Sequence, residues 1–496
     1  MRGKILKILA WSLAIVNFWV FSRSTVDDPF ITWRYGRNLV EHGVWNYNPT
    51  TFDPTQAYTN PIFALLSIIP AAFGINVVLF FKILAVILML GLILFFLRTR
   101  PSANLPLALF FALPATMIHI FSGLETFLYV VLVFFLILAI HSSNTKLALL
   151  TALTLFLTRP ESWLLVLLVP LALSFQARSP VRRFDFVRFA KYFAVLAIPL
   201  SAYFLIHIAI FGQMLPNTSF VKSGQYFLNP SVLIWLLTLS PLLVTWMLGY
   251  RKVTAFAATF SGIVAYHYST AYLSMNYAFR YEFHVLAPLI LFIIYLLAGE
   301  GDRIRFQAKL LSLFKNRTLA VLAIPLFAVG LVAASLNLDY CLLANRYPKL
   351  LATHGQVGYL IKDLNKTQKI RAIAVGDAGL IPYNADLPNL DLLRLGTHIG
   401  ATEGISKRLI DRYQVDFAVL RGYKYAEAKI VKALEDRNLK YICQVDFSDD
   451  YHLTLWAKET DQRMQKVCDS SKVFASESEF SFFLQDVQLA PWTYWR

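Results

Sequence analysis

Residues 1–21 read MRGKILKILAWSLAIVNFWVF, and this opening stretch sets the fold class. Three basic residues, Arg2, Lys4 and Lys7, come first, and an apolar run then continues to Phe21. Residues 22–24 loosely resemble a signal-peptide cleavage site, but the run is longer than the roughly 7–15 apolar residues of a signal peptide. We therefore predict a retained first transmembrane helix whose N-terminus lies in the cytoplasm.

The rest of the chain has a matching composition. Hydrophobic residues make up 57% and charged residues 15% of the 496 residues, whereas soluble domains average about 25% charged residues. This composition excludes an ordinary soluble enzyme. Further apolar segments lie near 76–97, 104–121, 123–141, 145–158, 160–176, 192–211, 231–249, 253–271, 285–298 and 318–338. With the first helix they predict about eleven transmembrane helices, some of them tilted or in a thinned bilayer.

The basic residues indicate which loops face the cytoplasm. Lys and Arg outnumber Asp and Glu by 46 to 30, for a formal net charge of +16. Most of the excess lies in short clusters at 98–100, 178–191, 251–252 and 303–317, which the positive-inside rule assigns to the cytoplasmic side. The segments 23–75, 212–230, 272–284 and everything after 339 are then outside, with 61–73 as an interfacial helix. The charge therefore does not call for a nucleic-acid partner.

The composition changes after residue 338. Short strand-like runs at 370–375, 415–420, 441–445 and 452–457 alternate with helical stretches at 347–364 and 426–439. This alternation is typical of a small α/β domain. The three cysteines permit one disulfide at most, so no disulfide framework is expected. We predict a polytopic α-helical membrane protein with a transmembrane domain at 1–338 and an extracytoplasmic α/β domain at 339–496.

The first outer loop, 23–75, is the most unusual part of the chain. Residues 26–49 read VDDPFITWRYGRNLVEHGVWNYNP. Asp28 followed by Pro29 predicts the start of a helix, with the carboxylate of Asp28 as its N-cap. Helical spacing then places four residues on one stripe: Asp27, Ile31, Arg34 and Asn38.

The pair Asp27-Asp28 has a structural and a functional interpretation. In the structural one, Asp28 caps the helix and Asp27 is a solvated neighbour. In the functional one, one of the pair is a general base, because a charged carboxylate beside a membrane is energetically unfavourable and is therefore expected to have a function. Adjacent helical residues point about 100° apart, so only one of them can face a given proton. The pair could instead hold a divalent cation, although no third acidic ligand lies nearby in the sequence.

Further motifs follow the Asp pair in order over roughly residues 5–400. They are Phe30-Ile31, Arg34-Tyr35, Arg37-Asn38-Leu39, His42-Gly43, Tyr47-Asn48-Pro49, Tyr58-Thr59-Asn60, Gly123-Leu124-Glu125-Thr126, Thr158-Arg159-Pro160-Glu161, Leu215-Pro216-Asn217-Thr218 with Lys222, Arg280 with His284 and Pro288, and Val375-Gly376-Asp377-Ala378-Gly379 with Tyr383 and Asp391. This ordered set resembles the GT-C glycosyltransferases, membrane enzymes that take sugars from polyprenyl-phosphate donors. It is most similar to the branch of the mycobacterial terminal arabinofuranosyltransferases and their bacterial relatives. The chain departs from that pattern at Pro29, at Glu41 and at residues 394–396.

The resemblance implies an inverting glycosyltransferase at the outer face of the plasma membrane. It would move a sugar, with arabinofuranose suggested by the nearest branch, from a polyprenyl-phosphate donor to a glycan or glycolipid acceptor of the cell envelope. It implies that Asp27 is the base, which we favour over Asp28, while spacing alone leaves either open. Lys222 and Arg280, in outer loops, are expected to bind the donor phosphate. The other residues expected to contact substrate or organise the site are Arg34, Tyr35, Asn38, Tyr58, Thr59, Asn60, Glu125, Arg159, Glu161, Asn217, His284, Asp377 and Tyr383.

Several alternatives stay open from the sequence. Arg159 and Glu161 form either a structural ion pair or a substrate contact, and Asp377 and Tyr383 contact either the acceptor or a neighbouring domain. The histidines and cysteines show no metal-ligand spacing, so we expect no zinc site. The functions that compete with a glycosyltransferase are a transporter of lipid-linked sugars and a non-catalytic envelope assembly protein.

Overall fold

A computed structural model describes residues 2–175, 184–222, 238–270, 276–313, 340–422, 428–448 and 451–476. The protein is mostly helical, with a region of apolar helices followed by a small domain built on a five-stranded sheet. The predicted transmembrane segment at 318–338 lies outside the described residues, as does the first part of the segment at 231–249.

The helices up to residue 313 form the region of apolar helices, which is called the membrane region below because the sequence predicts that it spans the membrane. Short 3₁₀ turns join some of these helices. In chain order they are α1 Arg2–Phe21, α2 Pro29–His42, α3 Pro61–Leu66, α4 Ile68–Ala72, α5 Val77–Thr99, α6 Asn104–Ala112, α7 Pro114–Phe121, α8 Thr126–His141, α9 Thr145–Phe156, α10 Leu165–Ser174, α11 Phe186–Phe211, α12 Asn217–Lys222, α13 Pro241–Met247, α14 Arg251–Thr270, α15 Arg280–Leu297 and α16 Glu300–Leu313.

The eleven transmembrane helices predicted for the whole chain are not confirmed by the residues that the structure describes. Within the described residues four helices are long and apolar enough to cross a membrane, at Lys4–Phe21, Val77–Thr99, Phe186–Phe211 and Tyr277–Leu297, or five if the bent pair α6 and α7 is one span. Pro114 begins α7, and the two helices meet at an angle of 74° because proline cannot continue the backbone ladder of α6. Helices α8 and α9 are apolar but shorter than the roughly 20 residues that a straight span needs.

Helix α2 begins where the sequence predicts, but its N-cap differs from the prediction. Asp28 occupies the N-cap position and Pro29 the first helical position, yet the Asp28 side chain makes no cap hydrogen bond. Its own backbone is already helical, with φ −54° and ψ −36°, so the carboxylate does not fold back over the first turn. The predicted capping role of Asp28 is therefore wrong, and its carboxylate is directed elsewhere.

The predicted interfacial helix at 61–73 is two short helices, α3 and α4, that join at Ser67. Helix α2 crosses them at Gly36, whose backbone N–H donates to Ser67 Oγ at 3.2 Å. A Cβ on Gly36 would lie 2.3 Å from Ser67 Oγ and 2.4 Å from the Ser67 carbonyl carbon. This glycine therefore permits the close approach that holds the first outer loop together.

Replacing Gly36 by Ala is expected to destabilise the protein by about 1–3 kcal/mol, because the added methyl must push two backbones apart. The measurement is the thermal unfolding midpoint in detergent. Gly91→Ala in α5 is the matched control, since no atom lies within 4 Å of the added Cβ there. An equal midpoint for both variants would contradict the close packing of α2 on α3 and α4.

The C-terminal domain, called the outer domain below because the sequence predicts that it lies outside the membrane, is a mixed α/β structure. Its strands are β1 Ala372–Val375, β2 Asn389–Asp391, β3 Val415–Arg421, β4 Lys440–Ser448 and β5 Tyr451–Ala457, and its helices are α17 Tyr340–Gln368, α18 Leu380–Ala385, α19 His398–Glu403, α20 Lys407–Tyr413, α21 Ala428–Glu435 and α22 Gln462–Ser476. The strand order is β2-β1-β3-β5-β4. The pairs β1–β2 and β1–β3 are parallel, and β3–β5 and β4–β5 are antiparallel.

The four predicted strands and the two predicted helices of this domain are all present. Two apolar clusters, one on each face of the sheet, form its core. A disulfide joins Cys443 in β4 to Cys468 in α22, in line with the single disulfide that the cysteine count permits. Strand β2 was not predicted, because three residues give too short a periodic pattern.

The first outer loop packs directly against the outer domain. The Asn48 side chain makes two hydrogen bonds to the Asn389 backbone: its Oδ1 accepts the N–H at 2.8 Å, and its Nδ2 donates to the carbonyl at 3.1 Å. Asp53 accepts a 2.7 Å hydrogen bond from the Tyr413 hydroxyl, and the Tyr47 hydroxyl donates to the Ala378 carbonyl at 2.6 Å. The two regions therefore hold each other in a fixed arrangement.

Candidate functional site

A cavity of about 630 Å³ lies between the membrane helices and the first outer loop. Its walls come from the start of α2, the loop before α3, the turn before α8, the 3₁₀ turn at Pro160–Leu164, and helices α12, α14 and α15. Eight of the residues predicted from the sequence line it: Asp28, Tyr58, Thr59, Asn60, Glu125, Arg159, Glu161 and Arg280. The cavity therefore brings together motifs that are up to 252 residues apart, from Asp28 to Arg280.

Asp28 and Asp27 face different surroundings. Asp28 lines the cavity, whereas the Asp27 carboxylate contacts the outer domain. Asp27 Oδ2 accepts the Gly379 N–H at 3.0 Å, and Oδ1 accepts the Leu380 N–H at 2.8 Å. The two side chains diverge because adjacent positions at a helix start point in different directions. Of the pair, Asp28 is therefore the residue that lines the cavity, and Asp27 is the one that contacts the C-terminal domain.

The surroundings of Asp27 also change its acidity. Burial, together with the negative charges of Asp377 and Asp28, raises the pKa of Asp27 to about 7 against the opposing charge of His354. A carboxyl group with a pKa near neutral is suited to proton transfer, but geometry comes first in choosing a base. Because both Asp27 oxygens accept backbone N–H groups, the raised pKa does not make Asp27 the candidate base.

Four charged side chains form a compact network on the cavity wall. Glu125 Oε1 accepts from Arg159 at 2.5 Å and from Arg280 at 3.2 Å, and Arg159 also pairs with Glu161 at 2.9 Å. Asn60 Nδ2 donates to the other Glu125 oxygen at 2.6 Å. The two carboxylates balance the two guanidinium groups, as a buried ionic cluster requires. Arg159 and Glu161 are thus an ion pair and cavity residues at once.

Gly123 explains how Glu125 reaches this network. Its backbone has φ +82°, and a Cβ there would lie 2.9 Å from the Trp33 ring and 3.0 Å from Pro29 Cγ. A glycine is required both by the left-handed conformation and by the close approach to α2. The turn that carries Glu125 is therefore seated against the first turn of the helix that begins beside Asp28.

Three other predicted residues support the cavity from outside. The Tyr35 hydroxyl accepts the Ala57 N–H at 2.8 Å and so holds the segment that leads to Tyr58. Asn38 Nδ2 donates to the carbonyls of residues 46 and 47, both at 2.9 Å. Asn217 Nδ2 donates to the Arg394 and Leu395 carbonyls at 2.6 and 2.9 Å, and Leu395 lines the cavity. These residues organise the site.

The remaining predicted residues lie away from the cavity. Arg34 donates to the Leu387 carbonyl of the outer domain. The guanidinium group of Arg37 lies over the Tyr383 ring, with its Cζ 5.2 Å from the ring centroid. His284 is buried behind Tyr268, 3.4 Å from its hydroxyl. Tyr383 thus contacts the first outer loop, and Asp377 contacts residues of its own domain. The side chain of Lys222 lies outside the described residues.

Asp377 belongs to a second polar cluster in the outer domain. His354 pairs with Asp377 Oδ2 at 2.8 Å, and the Tyr451 hydroxyl bonds to the same oxygen. Although burial opposes it, the hydrogen bond to His354 lowers the pKa of Asp377, and the same contact raises the pKa of His354. The cluster adjoins Asp27 and gives its carboxylate a charged neighbour.

Several cavity residues were not predicted. The Tyr268 hydroxyl donates a hydrogen bond to Glu161. The guanidinium group of Arg159 lies over the Tyr268 ring, with its Cζ 5.8 Å from the ring centroid. His267 and Trp163 also line the cavity. Their role depends on how α14 packs beside residues 160–164, and no local sequence pattern carries that information.

One group of three potential metal ligands occurs in the described residues, outside the cavity. Oxygen and nitrogen atoms of Glu41, His42 and Asp386 lie within 4.8 Å of one another. Arg37 already pairs with both carboxylates, at 2.8 Å each. The guanidinium group supplies the positive charge that a cation would bring, so this group does not fit a metal site.

No protein-family model and no curated protein matches this chain.

Proposed function

We propose that this protein is a GT-C-type inverting glycosyltransferase that uses a polyprenyl-phosphate sugar donor. The observation that carries the proposal is the content of one cavity, in which a carboxylate, two guanidinium groups and an apolar wall meet. A sugar transfer from a lipid phosphate needs those three elements: a base for the acceptor, cations for the leaving phosphate and an apolar surface for the lipid.

In the proposed reaction Asp28 removes the proton from an acceptor hydroxyl. The acceptor oxygen forms a bond to the anomeric carbon, the bond from that carbon to the phosphate oxygen breaks, and the polyprenyl phosphate leaves with the electron pair. A positioned carboxylate base contributes roughly 10²–10⁴-fold to such a step. Inversion follows because the acceptor attacks the face opposite the phosphate.

Arg280 and Arg159 are the proposed phosphate ligands. Each guanidinium has five N–H donors, and Arg280 uses its Nε and one Nη in its bonds to Thr126 and Glu125. Planar guanidinium groups suit bidentate phosphate contacts. Glu125 holds both arginines side by side, which would pre-organise them for an anionic group. Lys222 remains a further candidate from the sequence.

The apolar wall fits an isoprenoid chain. Trp163 and Leu164 face the cavity from one side, and Ile263 and Val264 of α14 face it from another. A lipid tail along this wall would bring its phosphate towards the arginines and its sugar towards Asp28. The motifs suggest arabinofuranose as the sugar, and a glycan or glycolipid of the cell envelope is the proposed acceptor.

The proposed topology has about eleven transmembrane helices, with the N-terminus in the cytoplasm and the outer domain outside. The disulfide between Cys443 and Cys468 supports the outer location of that domain, because disulfides persist in oxidising compartments. The proposed site therefore works at the outer face of the plasma membrane.

Transfer can be tested with the purified protein in proteoliposomes. A radiolabelled polyprenyl-phosphate sugar, from a panel that includes arabinofuranosyl and mannosyl donors, is supplied with a short glycan acceptor. We expect a labelled product from at least one donor, and none from protein-free liposomes. Movement of the labelled lipid across the bilayer without product would contradict the proposal and indicate a transporter.

A further inference from the structure

The Asp27 carboxylate links the first outer loop to the outer domain. Each of its oxygens accepts one backbone N–H, from Gly379 and from Leu380, and the residue is 7% exposed. The fit at Gly379 is close, since a Cβ there would lie 2.2 Å from the Asp27 carbonyl oxygen and 2.5 Å from its Cγ. No larger side chain could occupy this position without moving one partner.

The backbone of the same residue starts the helix that carries the proposed base. The Asp27 carbonyl accepts the Phe30 N–H at 3.1 Å, which is the first turn of α2. Just before it, the Val26 N–H donates to the Ser122 carbonyl at 3.0 Å. Asp28 thus lies in a turn that is held by the outer domain through Asp27 and by the turn before Glu125 through Val26.

We propose that Asp27 is a positioning residue that directs the Asp28 carboxylate into the cavity through its bonds to Gly379 and Leu380. This proposal rests on the glycosyltransferase function above, and it makes the outer domain a part of the catalytic unit. Release of the outer domain from Asp27 would leave Asp28 ionisable but turned away from the acceptor.

The geometry separates this role from that of a base. Both Asp27 oxygens face backbone N–H groups of residues 379 and 380, so neither is directed to an acceptor hydroxyl. Asp53 provides a matched comparison, because it also lies in the first outer loop and also accepts two hydrogen bonds from the outer domain. Its partners are the Tyr413 hydroxyl at 2.7 Å and the Ile399 N–H at 3.2 Å.

The first test uses Asp27→Asn and Gly379→Ala. In Asp27→Asn an NH2 group replaces one of the two acceptor oxygens, so one of the two N–H groups loses its acceptor. In Gly379→Ala the added methyl overlaps Asp27 and pushes residue 379 away from it. We expect each variant to lower kcat by about tenfold or more, as loss of a charge-assisted hydrogen bond allows. The KM for the donor should change little. Asp53→Asn should retain wild-type kcat.

Three outcomes would overturn the proposal. Wild-type kcat in both variants would show that the contact is irrelevant to turnover. Loss of kcat in Asp27→Asn together with wild-type kcat in Gly379→Ala would make Asp27 the base. An equal loss of kcat in Asp53→Asn would show that the lower kcat comes from a general weakening of the contact between the first outer loop and the outer domain. Gly379→Ala keeps the test valid if Asp27→Asn fails to fold.

Amide hydrogen exchange gives a readout that is independent of turnover. Exchange at residues 379 and 380 should be about tenfold faster or more in Asp27→Asn than in the wild type, because the N–H groups lose their charged acceptor. It should be unchanged in Asp53→Asn. Unchanged exchange in Asp27→Asn would overturn the docking contact itself, whereas an inactive wild type with the expected exchange pattern would contradict only the proposed function.

Discussion

Asp28→Asn is expected to lower kcat for sugar transfer by roughly 10²–10⁴-fold, the contribution of a positioned general base. The amide cannot take up the proton of the acceptor hydroxyl, while its size leaves the cavity unchanged. The side chain makes no cap hydrogen bond, so helix α2 should keep its stability in the variant. The measurement is the turnover of a labelled donor in proteoliposomes, together with the thermal unfolding midpoint.

Asp28→Glu is the graded control for this prediction. It keeps a carboxylate but moves it by one methylene, so we expect a partial recovery of kcat over Asp28→Asn. Wild-type turnover in Asp28→Asn would contradict the assignment of the base. If Asp27→Asn lost turnover while Asp28→Asn and Gly379→Ala kept it, Asp27 rather than Asp28 would be the base.

The start of α2 shows what local sequence can and cannot predict. The Asp-Pro step places the helix start correctly, and helical geometry requires the two carboxylates to diverge. It does not say which carboxylate enters the cavity, because that depends on Gly379, which is 352 residues away along the chain. The resemblance implies Asp27 as the base, whereas Asp28 is the residue of the pair that lines the cavity.

The lengths of elements were harder to predict than their presence. The apolar segment at 104–121 reads as one span, but Pro114 divides it into two helices at 74°. Strand β2 has three residues and pairs with β1 only because the outer domain brings them together. Hydropathy identified the apolar stretch at 104–121 but not its bend, which depends on a single proline. It did not identify β2, whose pairing depends on distant partners.

The residues around Glu125 illustrate the same limit at the site. Glu125, Arg159 and Arg280 were each selected as candidates, but their pairing joins three separate parts of the chain. Charge signs made such pairing favourable, whereas the left-handed Gly123 and its contact with Pro29 supply the geometry. Tyr268 completes the network through Glu161, and no motif pointed to it.

Glu125→Gln is expected to destabilise the protein by about 3–5 kcal/mol, because it leaves one positive charge uncompensated in a buried cluster. The side chains of Arg159 and Arg280 are each 7% exposed, and that of Glu125 is 1% exposed, so solvent cannot replace the lost charge. The measurement is thermal unfolding in detergent. Glu41→Gln is the control: Glu41 pairs with Arg37 but is 45% exposed, so we expect a change of about 0–1 kcal/mol.

The same variant links stability to the proposed donor. If the two arginines bind a lipid phosphate, an added polyprenyl phosphate should supply the missing negative charge, since a ligand that binds the folded state stabilises it. Polyprenyl phosphate should therefore raise the unfolding midpoint more in Glu125→Gln than in the wild type. The uncharged polyprenol should not produce this additional increase. Equal stabilisation of both proteins by phosphate and alcohol would contradict a phosphate site at Arg159 and Arg280, and would restrict the role of Glu125 to the packing of the membrane region.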